Sequence, residues 1–173
     1  HTIAQSQTVL NKKPNIIVIL TDDMGFSDIG CYGSEINTPN IDKLAAQGMR
    51  FTDAHTTSSV CTPSRYSIMT GSYPWRSRLP IGVLRGYSRT LINPQQQTIA
   101  NLLKTKTYHT GVVGKWHLGV DWVLKEAFKD SIHPNYNKDN MYGIRDEMNP
   151  NQINFEQAPT AGPLSQGFDY SYI

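Results

Sequence analysis

"NIIVILTDDMGFSDIG", residues 15–30, decides how this chain is to be read. Residues 15–20 form a continuous β-branched run, the mark of a strand covered on both faces of a parallel sheet. The run stops at Thr21-Asp22-Asp23, with Gly25 behind it. Neighbours on a strand point to opposite faces, so Asp22 and Asp23 reach one centre only where the strand has ended. Ligands of open α/β sheets gather outside the carboxyl ends of strands. Two adjacent carboxylates there repel each other unless a cation lies between them. Oxygen donors favour Ca²⁺ or Mg²⁺ over zinc. A solvated turn with an N-cap aspartate is the plain alternative for the same pair.

Working outward, residues 1–14 are polar and unpatterned and read as a tail. In "NTPNIDKLAAQGMRF", Thr38 can cap, Pro39 suits the first helical position, and Gly48 ends the helix. Ile41, Leu44 and Ala45 share one face of it. "MRFTDAH" reads as a short strand. Residues 62–70 read as a second helix with Gly71 after its end, and Thr98 as the cap of a third, "TIANLLK". "YHTGVVG", 108–114, resembles a second buried strand. Strands alternating with helices favour a mainly parallel α/β sheet flanked by helices. From about Asp121 to Pro163 the pattern fades, and a connection that long is usually functional or mobile.

Two more stretches carry chemistry. In "SSVCTPSRYSIMTG", 58–71, Cys61 opens a predicted helix, where backbone N–H groups and the helix dipole favour an anion. Arg65 lies four residues on, above Cys61 on the same face. An anion site therefore adjoins a nucleophile, although thiol phosphatases space their Cys and Arg further apart. A small buried thiol is the other reading. In "GKWHLG", 114–119, Lys115 and His117 point the same way on an extended segment, with Trp116 anchoring it in the core. Lysine neutralises an anion, and histidine, with an unperturbed pKa of ~6.5, transfers a proton. Surface charge is the alternative for that pair. All three stretches lie at strand or helix ends, and each binds an anion or a cation.

Composition excludes several classes. Sixteen basic and 14 acidic residues leave a net charge of +2, which argues against a nucleic-acid partner. No apolar run reaches membrane-spanning length, "IIVIL" being the longest. Two cysteines allow one disulfide, Cys31–Cys61, and no disulfide framework. His1, His55, His109 and His133 read as structural or exposed.

"CTPSRYSIMTG" resembles the sulfatase signature Cys-x-Pro-Ser-Arg-x-x-Leu-x-Thr-Gly, with Ile68 in place of its Leu. "NIIVILTDDMGFSDIGCYG" is similar to that family's N-terminal metal-binding strand and loop, and "TGVVGKWHLG" to its Lys-x-His segment. "GPLSQGFDY", 162–170, is similar to a further family stretch. The resemblance implies an alkaline-phosphatase-like α/β fold and sulfate-ester hydrolysis. It implies that a maturation enzyme converts Cys61 to Cα-formylglycine, whose hydrate is a geminal diol. One hydroxyl attacks sulfur and the alcohol leaves; the second lets the diol collapse and expel sulfate. Asp22, Asp23 and the formylglycine at 61 would bind Ca²⁺, with Mg²⁺ as a substitute. Arg65 would hold the formylglycine and the metal-site carboxylates, Lys115 the sulfate and leaving-group side, and His117 the diol. Cys31 is then single and reads as a small buried residue.

The family's remaining metal ligands, an Asp and an Asn, and its second His and Lys are not found in this sequence. Residues 15–173 therefore read as the N-terminal portion of a sulfatase catalytic domain, dependent on the C-terminal part of the same protein. The resemblance also implies a secreted or periplasmic enzyme acting on a sulfated carbohydrate or aryl ester. Trp75, Arg76, Arg78 and Arg85 are candidates for a sugar site, or a solvated loop. A phosphonate or phosphodiester hydrolase of the same superfamily and a non-catalytic binding protein on the same fold remain the alternatives.

Overall fold

The computed structural model describes residues 13–131 and 147–173. Most of the predicted tail, 1–12, and His133 lie outside the described residues. The chain divides into two units, residues 1–52 and 53–173.

In the first unit, helix α1 spans Pro39–Gln47, entered from Thr38 and left at Gly48. Proline at the first position costs nothing because its missing N–H would have had no helical acceptor. Thr38 serves as the cap residue in an unexpected way. Its hydroxyl accepts from Gly30 N–H at 2.8 Å and donates to Asp42 Oδ1 at 3.0 Å. Asp42 Oδ1 also accepts from Cys31 N–H at 2.7 Å. The first turn of α1 thus holds the short 3₁₀ turn Gly30–Tyr32.

The run 15–20 is not a strand. It carries no sheet assignment, and Ile17 and Ile19 are 83% and 77% exposed. A β-branched run prefers extended backbone, but its N–H and C=O groups become a strand only when another segment pairs with them. None does so among the described residues. "MRFTDAH" likewise forms no strand. No described residue of this unit is buried, and Leu44 on the apolar face of α1 is 63% exposed.

The second unit carries the core: Tyr66, Leu79, Leu84, Leu91, Ile92, Trp116, Leu118 and Val120, with Met69, Val112, Trp122 and Phe168 packed on it. Helix α2, Cys61–Thr70, ends at Gly71, whose left-handed backbone lets its N–H reach the Ser67 carbonyl. Helix α3, Ile99–Thr105, starts in a reciprocal cap. Asn101 N–H donates to Thr98 Oγ1, and Thr98 N–H donates to Asn101 Oδ1, each at 3.1 Å.

Strand β1, Gly111–Val113, runs parallel to β2, Tyr170–Tyr172, with Gly111 opposite Tyr170 and Val113 opposite Tyr172. β1 is shorter than the predicted 108–114, and Val113 is 71% exposed rather than buried. β2 has no counterpart in the sequence reading. The pair is pinned at its start by Asp169, whose carboxylate accepts from Thr110 N–H at 2.9 Å and meets Lys104 Nζ at 2.7 Å. The Lys104 contact and then the Thr110 N–H hold that carboxyl down at a pKa of about 2. Within 121–163, antiparallel bridges join Asp121 to Ala161 and Leu124 to Ile153.

Candidate functional site

Cys61 is the first residue of α2, as its sequence setting predicts. Val60 contributes no side-chain cap to the helix, and Pro63 has no N–H to satisfy. The start of this helix therefore keeps the anion-attracting character of free backbone donors. Ser64 Oγ donates to the Ser58 carbonyl at 2.7 Å, which folds the entry segment against the first turn. Cys61 is partly exposed and unpaired by any disulfide; Cys31 is also free, and partly exposed rather than buried.

Arg65 sits one turn along α2. Its Nη1 donates to the carbonyl oxygen of Lys115, fifty positions away in the chain. That contact joins two of the sequence-identified stretches. Lys115 itself is exposed.

The 114–119 segment is not extended. Gly114, His117 and Gly119 all have left-handed backbone, with φ of 97°, 55° and 79°. A left-handed residue with a Cβ is uncommon, and such strain persists only where the surroundings hold it. Here they do. Trp116 and Leu118, on either side of His117, are 6% and 0% exposed. Trp116 Nε1 donates to the Gly119 carbonyl at 2.9 Å, closing the loop on itself. Lys115 and His117 therefore do not share a face by strand alternation; the loop's own fold sets their directions.

Thr62, fully buried, holds His117 in this shape. Its hydroxyl donates to the His117 carbonyl at 3.0 Å and accepts from Leu84 N–H at 3.2 Å. His117 Nε2 lies 2.7 Å from the Leu84 carbonyl oxygen. A carbonyl can only accept, so Nε2 carries a proton, and in the neutral form of the ring the lone pair is on Nδ1. Nδ1 is buried and has no hydrogen-bond partner among the described residues. Sequence reasoning missed Thr62 and Leu84. They lie 22 positions apart, and nothing local marks either one.

Asp22 and Asp23 stand in the first unit, both exposed. Asp23 is left-handed, φ 56°, which breaks strand alternation directly after Asp22. Among the described residues, no three His, Cys, Asp or Glu side chains form a group able to hold a metal ion. Of the other candidates, Trp75 stacks on Tyr73 with centroids 4.2 Å apart and rings 11° from parallel, and both are more than half exposed. Arg76 and Arg85 are exposed, whereas Arg78 donates to the Arg89 and Thr90 carbonyls at 2.9 and 2.8 Å and is partly buried. His55 and His109 are exposed, His55 within 2.7 Å of Asp53 Oδ1. No helix among the described residues is long and apolar enough to cross a membrane.

The sulfatase family model matches residues 14–168. An N-acetylgalactosamine-6-O-sulfatase of Bacteroides thetaiotaomicron is 47% identical over 126 residues, 72% of this chain and 24% of its own length. Arylsulfatase A of Homo sapiens is 47% identical over 110 residues, 63% of this chain and 22% of its own length. A solved structure from work on the metabolism of multiple glycosaminoglycans by Bacteroides thetaiotaomicron superposes with a TM-score of 0.71 at 39% identity, covering 92% of this chain and 28% of that one. The crystal structure of Ps i-CgsB in complex with k-i-k-neocarrahexaose superposes at 0.63 with 31% identity, over the same shares. The chain thus spans about a quarter of the length of the curated relatives it matches.

Proposed function

The chain belongs to the sulfatase family, and from that premise we propose that the complete protein is a sulfuric ester hydrolase acting on a sulfated carbohydrate or aryl ester. The fold is the alkaline-phosphatase-like α/β fold of the sulfatases. Position 61, after a maturation enzyme has turned its thiol into Cα-formylglycine, is the nucleophile. The hydrated aldehyde supplies one hydroxyl for attack on sulfur and a second for release of the sulfate.

The residues of the chain divide the remaining work. The open first turn of α2 receives sulfate oxygens. Arg65 braces the nucleophile from one turn away and ties α2 to the Lys115 backbone. Lys115 meets the sulfate and leaving-group side. His117, its Nε2 proton engaged by Leu84, offers Nδ1 to accept a proton. Asp22 and Asp23 are hard oxygen donors of the kind Ca²⁺ takes, with Mg²⁺ as a substitute. They fit in type but fall short of the roughly 6–8 oxygens that Ca²⁺ binds. The rest would come from the C-terminal part of the same protein. That part would also supply strands to pair with 15–20, whose exposed Ile17 and Ile19 suit a sheet interior. A bound divalent cation supplies charge neutralisation for the sulfate oxygens and for the nucleophile.

Two features support a carbohydrate substrate, the stacked Tyr73–Trp75 pair suited to a sugar ring and the similarity to an N-acetylgalactosamine-6-O-sulfatase; a secreted or periplasmic location belongs to the same reading.

The observation that carries the reading is the hydrogen bond from Arg65 to the Lys115 carbonyl, which brings the helix bearing Cys61 to the Lys-Trp-His loop. The test is mass spectrometry of the peptide spanning position 61 in the full-length protein, beside turnover of an aryl sulfate and an aryl phosphonate. Loss of sulfur with preferential sulfate turnover is expected. An intact thiol in active protein overturns the mechanism, and preferential phosphonate turnover overturns the substrate class.

A further inference from the structure

We propose that Thr62 is a positioning residue for His117, holding its imidazole in the single tautomer that leaves Nδ1 as the base. The proposal rests on the reading above only where it calls that base a participant in sulfate-ester hydrolysis.

Three hydrogen bonds form a closed circuit. Leu84 N–H donates to Thr62 Oγ1, Thr62 Oγ1 donates to the His117 carbonyl, and His117 Nε2–H donates to the Leu84 carbonyl. Thr62 uses its one hydroxyl proton and one lone pair, so the circuit has a fixed direction. The Leu84 peptide is gripped at both ends, its N–H by Thr62 and its oxygen by His117. Release of the hydroxyl frees both the carbonyl that selects the tautomer and the left-handed backbone from which the ring hangs. Because Thr62 is wholly buried, water does not readily replace it. Thr62 directly follows the nucleophile position on α2, so the same helical turn that presents residue 61 also sets the histidine.

The effect is read on the full-length, matured protein with ¹⁵N-labelled histidine. Imidazole nitrogen shifts at neutral pH report the His117 tautomer, assigned by its loss in His117→Ala. The unmutated protein should show one tautomer, protonated at Nε2. Thr62→Ser keeps the hydroxyl and should retain it. Thr62→Val keeps the volume and removes the hydroxyl, and should populate both tautomers. If the valine variant does not accumulate folded, Thr62→Ala is read in its place.

On an aryl sulfate, kcat should fall about 10–100-fold in the hydroxyl-less variant, the scale of a small misplacement of a catalytic group, while KM changes little. Thr62→Ser should stay within about twofold on the same scale. A mixed or Nδ1–H tautomer in the unmutated protein, or a single unchanged tautomer in the hydroxyl-less variant, overturns the proposal. Absence of sulfate turnover in the unmutated protein counts against the functional reading alone, since the tautomer is read without substrate.

Discussion

Replacing Gly119 by alanine should destabilise the protein severely, and the size of the loss follows from local geometry. Gly119 has φ of +79°, a conformation that costs a residue bearing a Cβ about 1–2 kcal/mol. An added Cβ would also lie 2.0 Å from the Arg89 carbonyl oxygen, 2.4 Å from its carbon and 2.8 Å from Thr90 N. These are backbone atoms, so no side chain can swing aside. The segment they belong to is fastened to the Gly119 loop on both sides. Leu91 N–H donates to the Leu118 carbonyl at 2.8 Å, Val120 N–H to the Ser88 carbonyl at 3.0 Å, and Thr90 N–H to Asp121 Oδ1 at 2.9 Å. Relief of the clash has to stretch these bonds. Forced overpacking of that kind costs about 1–3 kcal/mol, so the two effects together reach about 2–5 kcal/mol. A domain is stable by only about 5–15 kcal/mol in total. Urea denaturation of the full-length protein, followed by tryptophan fluorescence, measures the change. A midpoint shift worth less than about 0.5 kcal/mol, the scatter of neutral surface changes, would refute the reasoning.

Arg65→Lys should lower kcat by about a hundredfold in steady-state assays with an aryl sulfate, because an ammonium cannot brace both the Lys115 carbonyl and the nucleophile as a guanidinium fork does. Asp169 should make stability depend on acid. Its folded pKa of about 2 lies below the reference 3.8, so its contribution is complete above about pH 4 and is lost as pH falls toward 2. Denaturation midpoints between pH 5 and 2 should show that slope weakened in Asp169→Asn. Chelation of divalent cations should abolish sulfate turnover and Ca²⁺ should restore it. Asp22→Asn and Asp23→Asn should each raise the Ca²⁺ concentration needed, as titration calorimetry or activity recovery would show.

The helices were legible because their signals are local. Thr38-Pro39 with Gly48, the Thr98 cap and Gly71 mark the ends of α1, α3 and α2 within a residue or so. A helix meets most of its own hydrogen-bonding demand, so its limits are written beside it. Strands are different, since their ladders join distant segments. The run 15–20 has strong strand composition and no paired neighbour among the described residues, whereas Tyr170–Tyr172, with weaker composition, is ordered by pairing with Gly111–Val113. The loop 114–119 misled in another way. Lys-x-His suggests alternation only if the backbone is extended, and the two glycines flanking the motif were the sign that it is not.

The candidate site itself was legible in residue types but not in how they are held. Its side chains are fastened largely through main-chain oxygens: Arg65 by the Lys115 carbonyl, Thr62 by that of His117, and His117 by that of Leu84. Carbonyls carry no sequence identity, so no motif can record these contacts. The arrangement has a chemical consequence. Helix α2 grips the Lys-Trp-His loop by its backbone, through the carbonyls of Lys115 and His117. Thr62 and Gly119 cannot be exchanged without a cost in stability. Thr62→Val should therefore lower the denaturation midpoint, whereas Thr62→Ser, which keeps the hydroxyl, should leave it nearly unchanged.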